Sequence, residues 1–235
     1  MDDATVVVTG AAGGIGSALV RSFADAGATV VAAVRTGSDD RPKPGSGGDG
    51  GLFADRENVD TVTADVRDEF DAERLMERAA RAGADIDLVL PCAAVFHGAP
   101  GEEPIDEEAY SAFDDQFRTN ARGVFATIKE AVPHLAADAR VLVPSGSVAT
   151  GLHEGYGGYA VSKAAAEAVA RGFAADIEQA VGVVDPGVVA TELTGGQGRD
   201  PADVVGLFEW AATEVDAEDL NGERLGLADW KKATR

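Results

Sequence analysis

Residues 5–16 read TVVVTGAAGGIG, and this stretch decides the fold. Thr5–Thr9 is a β-branched run of strand character, followed at once by glycines. From Gly14 the apolar period changes, with Ile15, Leu19, Phe23 and Ala26 on one helical face and Gly27 closing the helix. A strand, a glycine-rich turn and a helix in this order form the phosphate-binding corner of a dinucleotide fold. Missing side chains let a pyrophosphate approach the backbone, and the helix points its unpaired N–H groups and dipole at it. The candidate cofactor residues here are Gly10, Ala12, Gly13, Gly14, Ile15 and Gly16. A tight turn alone would also explain the glycines, but their place after a strand and before a helix favours binding.

Outward from this corner, apolar runs alternate with helical patterns to the end of the chain. That alternation predicts a doubly wound α/β domain, a parallel sheet with helices on both faces, and 235 residues suit a single domain. Further strands are expected at 29–34, 59–64, 86–90, 140–144, 181–185 and 223–227. Helices are expected at 69–82, 106–137 with a bend near Pro133, 158–176 and 201–213. Gly37–Gly51, with six glycines and two prolines, reads as a mobile surface loop with at most a short helix after it near Leu52–Arg56.

Tyr159 and Lys163 stand four residues apart on a predicted helix, so both side chains project from one face. A phenol is a reluctant base at neutral pH. A fixed ammonium beside it, or a positive nicotinamide, favours the phenolate. Tyr159 is therefore a candidate general acid for carbonyl reduction and base for alcohol oxidation. An ordinary surface Tyr–Lys pair is the bland alternative. Against it, Ser147 follows a strand 12 residues upstream, and a phosphate-binding turn precedes both. No lysine stands four residues after Tyr156, which removes that phenol as the acid.

Taken in order, TGxxxGIG from Thr9, Asp65-Val66, Asn120, Ser147, Tyr159-x-x-x-Lys163 and Pro186-Gly187-x-Val189-x-Thr191 resemble the motifs of the short-chain dehydrogenase/reductase family over nearly the whole chain. The resemblance implies that Ser147 holds the substrate oxygen, with Ser145 a less well-spaced rival. It implies that Lys163 also holds the nicotinamide ribose and that Asn120 positions a water in the proton relay. Pro186, Gly187, Val189 and Thr191 would meet the carboxamide, and Asp65 and Val66 the adenine, although Asp65 could equally cap the next helix. Ala93 would line the cofactor. The family usually carries Asn-Asn-Ala-Gly where this chain has Pro91-Cys92-Ala93-Ala94, a departure that bears on local cofactor geometry.

The expected cofactor is NADP(H), with NAD(H) possible. Val34 occupies the position where NAD-specific relatives carry an acid, and Arg35 follows it. A guanidinium can pair with the 2′-phosphate through two hydrogen bonds, assisted by Arg41 and Lys43 if the glycine-rich loop folds over. Arg35 as a plain solvated cation is the alternative. The implied activity is hydride transfer between NAD(P)(H) and a small carbonyl or alcohol substrate. A catalytically silent NADP-sensing or regulatory protein and a nucleotide-sugar epimerase-like relative are the rival readings. The segment 193–200 reads as a substrate lid, and the resemblance implies a homodimer or homotetramer packed through the 106–137 and 158–176 helices.

Composition sets outer bounds. Asp plus Glu number 41 against 20 Lys plus Arg, a net charge of −21, which disfavours nucleic acid and anionic membranes as partners. Fifteen arginines against five lysines in so acidic a chain point to a halophilic, high-salt cytoplasm where charge is screened. The single cysteine, Cys92, fits a reducing cytoplasmic setting and reads as a small buried filler. His97, His134 and His153 lack metal-ligand spacing, so no metal is expected, and Trp210 and Trp230 read as packing residues.

Overall fold

The computed structural model describes residues 1–35 and 52–235; the expected glycine-rich loop, with Arg41 and Lys43, lies outside the described residues. Seven strands form one sheet in the order β3-β2-β1-β4-β5-β6-β7, and every adjacent pair is parallel. They are β1 (Thr5–Thr9), β2 (Thr29–Val34), β3 (Val59–Thr63), β4 (Ile86–Pro91), β5 (Leu135–Pro144), β6 (Ala180–Asp185) and β7 (Arg224–Gly226). The helices are α1 (Gly14–Asp25), α2 (Glu69–Ala82), α3 (Tyr110–Phe117), α4 (Gly123–Ala131), α5 (Gly157–Asp176), α6 (Val205–Thr213), α7 (Ala217–Leu220) and α8 (Leu227–Ala233).

Both sheet faces are covered, which is why the central strands are continuous apolar runs. Val6 and Val8 pack on one side with Leu19, Phe23, Leu207 and Phe208 of α1 and α6. Val7 packs on the other with Leu75, Met76, Ile128 and Ala166 of α2, α4 and α5. The strand order reverses between β1 and β4, and the crevice beyond the carboxyl ends of those strands is where such sheets bind ligands. Among the described residues no helix is long and apolar enough to cross a membrane.

Several expected boundaries move. The single 106–137 helix is instead α3 and α4 joined by a π-helical turn, Arg118–Arg122, so the interruption falls around Asn120. Pro133 lies in a 3₁₀ turn, Val132–His134, that ends the helix. Residues 135–139 then extend β5 through a register shift against β4. Alanine-rich sequence there favours helix, but proline blocks continuation and strand pairing wins. Residues 52–55 form turns, not a short helix. The 201–213 helix begins as a 3₁₀ turn, Pro201–Val204. Trp210 and Trp230 pack against the core as expected.

Candidate active site

The glycine corner forms as its sequence dictates. Gly10 has φ +63, and a Cβ there would lie 2.6 Å from the Ala93 Cα, so β1 and the β4 end approach as only glycine permits. A Cβ on Gly16 would meet the Gly10 carbonyl at 2.3 Å. The α1 N-cap, Gly13, offers no side-chain acceptor, and the first turn carries no acid. Ala12 and Gly13 remain open to solvent on this corner while Ile15 packs against the core. The N–H groups of the first turn therefore have no intrahelical partner and no capping oxygen, a cradle that fits a pyrophosphate.

Thr191 closes the corner from the other side, since a Cβ on Gly14 would touch its Cγ2 at 2.7 Å. Pro186 and Val189 are buried, and Gly187, at φ +71, turns the chain after β6. The 193–200 segment overlaps the 3₁₀ turn Glu192–Thr194, where the Thr194 hydroxyl accepts from the Thr191 N–H at 3.0 Å. Its far end is tied back where the Ala190 N–H donates to the Arg199 carbonyl at 2.8 Å.

At the expected adenine end, Val66 is buried against Gly123. Asp65 does not cap α2; Asp68 does, through the Phe70 and Asp71 N–H groups. The Asp65 carboxylate instead accepts from Arg67 at 2.6 Å, and this guanidinium holds the carboxyl below its usual range. Arg67 also donates to Asp115 at 2.6 Å. Arg35 follows β2, is exposed and adds a weaker attraction to Asp65.

The residues expected to handle the proton follow β4 and β5 in the chain. Ser147 opens a 3₁₀ turn just past β5 and is exposed. Tyr159 lies in the first turn of α5, where burial, with Tyr156 beside it, pushes its phenol up to about 12. The Phe96 ring packs on Tyr159 at 4.8 Å and stacks on Tyr156 at 6.0 Å. His153 meets Tyr156 edge-on, while His97 hydrogen-bonds Asp115. Lys163 is buried, and its Nζ donates to the Pro144 carbonyl at 2.7 Å. Burial pulls this ammonium down to about 8. The ammonium thus contacts β5, and among the described residues no hydrogen bond joins it to the phenol.

Asn120 is also fully engaged. Its Oδ1 accepts from the Val95 N–H and its Nδ2 donates to the Val95 carbonyl, both at 2.8 Å, and to Ser162 Oγ at 2.9 Å. Its side chain therefore braces the segment after β4 at Val95, directly beyond the departing Pro91–Ala94 stretch. Cys92 is half-buried and packs against the core rather than lying fully inside it, with desolvation raising its thiol to about 12. Ser145 does not face the opening; its hydroxyl donates to Glu167.

Sequence reasoning missed Phe96, Glu108 and Glu167. Glu108 takes the Gly158 N–H and the Gln116 side-chain amide, and so caps the start of α5. An acid 50 residues before its partner leaves no periodic trace, whereas an aromatic directly after β4 could have been flagged.

Comparison with known proteins agrees with this geometry. The family model described as enoyl-(acyl carrier protein) reductase matches residues 10–214. An NADPH-dependent aldehyde reductase 2 of Arabidopsis thaliana is 30% identical over 80% of this chain and 72% of its own length. A 1-deoxy-11-beta-hydroxypentalenate dehydrogenase of Streptomyces exfoliatus is 35% identical over 94% and 78% respectively. A dehydrogenase/reductase structure from Sinorhizobium meliloti 1021 superposes with a TM-score of 0.81 at 23% identity, covering 96% of this chain and 94% of that one. A glycine cradle, a Tyr159–Lys163 pair on one helix and these relatives together place the chain in the short-chain dehydrogenase/reductase family, as an NAD(P)-dependent oxidoreductase.

Proposed function

We propose that the protein is an NADPH-preferring reductase of small carbonyl compounds, with Tyr159 as the acid. The observation that carries this reading is the β1–α1 corner, where Gly10 lies against Ala93 and Gly14 against Thr191, with Tyr159 at the start of α5 soon after β5. In this reading the α1 N–H groups hold the pyrophosphate, Asp65 and Val66 border the adenine, and Arg35 takes the 2′-phosphate. Pro186, Gly187, Val189 and Thr191 border the nicotinamide, and the 193–200 segment closes over it. Bound NADPH would supply the hydride.

Ser147 donates to the substrate oxygen, and Tyr159 gives that oxygen a proton from its Oη. A phenol held near 12 keeps its proton at neutral pH, which suits reduction; alcohol oxidation needs added positive charge to release it. Lys163 supplies such a charge and holds the ribose. Because the Asn120 side chain is spent on Val95 and Ser162, the relay water would fall to its backbone carbonyl. The π turn supports this, since such turns interrupt the usual helical ladder. Phe96, Tyr156 and the exposed Leu152 and Val188 favour apolar substrates, aromatic ones included.

Self-association through α3–α4 and α5 is supported by exposed Tyr110, Phe117, Phe125 and Val161 on those helices. The test is NADPH oxidation with aromatic and aliphatic aldehydes and ketones. The wild type should turn over, and Tyr159→Phe should lose at least about 100-fold in kcat with NADPH affinity unchanged. Full activity in that variant overturns the acid role. Tight NADPH binding without any turnover favours the sensor.

A further inference from the structure

A second set of charges lies behind the reactive helix. Glu167 stands one turn beyond Lys163 on α5, so both project from the same face. Its side chain is 4% exposed, a costly place for a carboxylate unless it is paired. It accepts from the Ser145 hydroxyl at 2.5 Å and from the Arg224 guanidinium of β7. Arg224 also donates to Asp185 at 2.8 Å, and Arg171 approaches Glu167 from the next turn at 3.9 Å.

The two α5 side chains are thus anchored on consecutive residues at the end of β5. Lys163 donates to Pro144, and Glu167 accepts from Ser145. The groups acting on the Lys163 ammonium are the Cys92 thiol after β4, Glu167 on its own helix and Arg224 on β7. Burial opposes the charge, Glu167 favours it, and Arg224 opposes it. Ser145 and Arg224 hold the carboxylate in one place, so its field on the ammonium is fixed.

We infer that Glu167 is a positioning residue whose carboxylate, held by Ser145 and Arg224, keeps Lys163 charged and in place for the cofactor. Arg224 tunes this by neutralising part of the carboxylate. The inference rests on the reading of Lys163 as a ribose contact, and the test separates the two.

NADPH dissociation constants are measured by fluorescence from about pH 6 to about pH 10 for wild type, K163A, E167Q and R224M, with thermal unfolding as the folding check. E167Q keeps the shape and an acceptor for Ser145 and Arg224. In it, the pH at which affinity weakens should fall by about one unit relative to wild type. R224M keeps the Ser145 donor to Glu167 and removes the opposing guanidinium, so it should move that midpoint upward. K163A should bind weakly and lose this pH dependence. A structural role alone would weaken both outer variants without opposite shifts. An unmoved midpoint in folded E167Q, or shifts of the same sign in both, overturns the inference. If K163A binds as wild type does, the ribose contact fails and the inference with it.

Discussion

Replacing Lys163 by methionine should stabilise the cofactor-free protein at pH 7 and destabilise it at strongly alkaline pH. The ammonium is buried, and its burial pulls the folded value from 10.5 to about 8. That is a drop of about 2.5 units, so at neutral pH the charge costs the fold about 3 kcal/mol. The sign follows from proton uptake: between about 8 and 10.5 the unfolded chain binds the proton and the folded one does not. Wild-type stability from this group therefore rises as pH climbs through that window, and the cost is complete below it. Methionine removes the cost but leaves the Pro144 carbonyl without its donor, a loss of about 2 kcal/mol. The net gain at pH 7 is about 1 kcal/mol, or about 2–4 °C in Tm for a chain of this size. Above the unfolded value only the lost hydrogen bond remains, and the variant should be the less stable by about 2 kcal/mol. Paired calorimetric melts at the two pH values, in concentrated salt, read the difference. A variant equally destabilised at both pH values would refute the buried-charge account.

Arg35→Ala should lower kcat/KM for NADPH by about 10- to 100-fold while sparing NADH, because only the 2′-phosphate loses a charged partner; equal losses with both cofactors would remove it as the discriminator. Glu108→Ala should cost about 1–2 kcal/mol in urea unfolding, since the α5 start and Gln116 both lose their acceptor. Thermal stability should rise along a KCl series reaching multi-molar concentration, as salt screens the net −21 charge; a flat response would leave the acidity without a halophilic explanation.

What the sequence showed was whatever physics keeps local. The β1–α1 corner was legible because glycine spacing, strand composition and helical period all fall within residues 5–27. That Tyr159 and Lys163 share one helix face was legible because helix geometry links i to i+4. The π turn at Asn120 was not, since it is produced by tertiary packing against Val95 and Ser162 and has no composition of its own. Asp65 was readable as either ligand or cap, and only the fold shows that Asp68 takes the capping role. The Glu167–Arg224 contact joins residues 57 apart, from a helix and a strand whose pairing no period announces. The same holds for β5, whose start at Leu135 depends on a partner strand 49 residues earlier, at Ile86.

The position of Tyr159 depends on residues well outside its own helix. Helix α5 has no side-chain cap of its own, because its N-cap is Tyr156. Glu108 supplies the missing acceptor from the segment before α3. That segment is stitched to the α5 approach again where the Gly101 and Glu103 N–H groups donate to the Gly155 carbonyl, both at 3.1 Å. Gly155 itself, at φ +73, would drive a Cβ to 2.2 Å from the Gly101 carbonyl carbon, so the two loops are in contact through backbone alone. Phe96, which packs on Tyr159, is carried by the chain just before this segment and is anchored through Val95 to Asn120. The Phe96–Glu108 stretch and the start of α5 with Tyr159 are therefore one connected unit. A substitution in residues 98–108 that alters what the opening admits should also move the Tyr159 ring, so changes in KM and kcat are expected to travel together there.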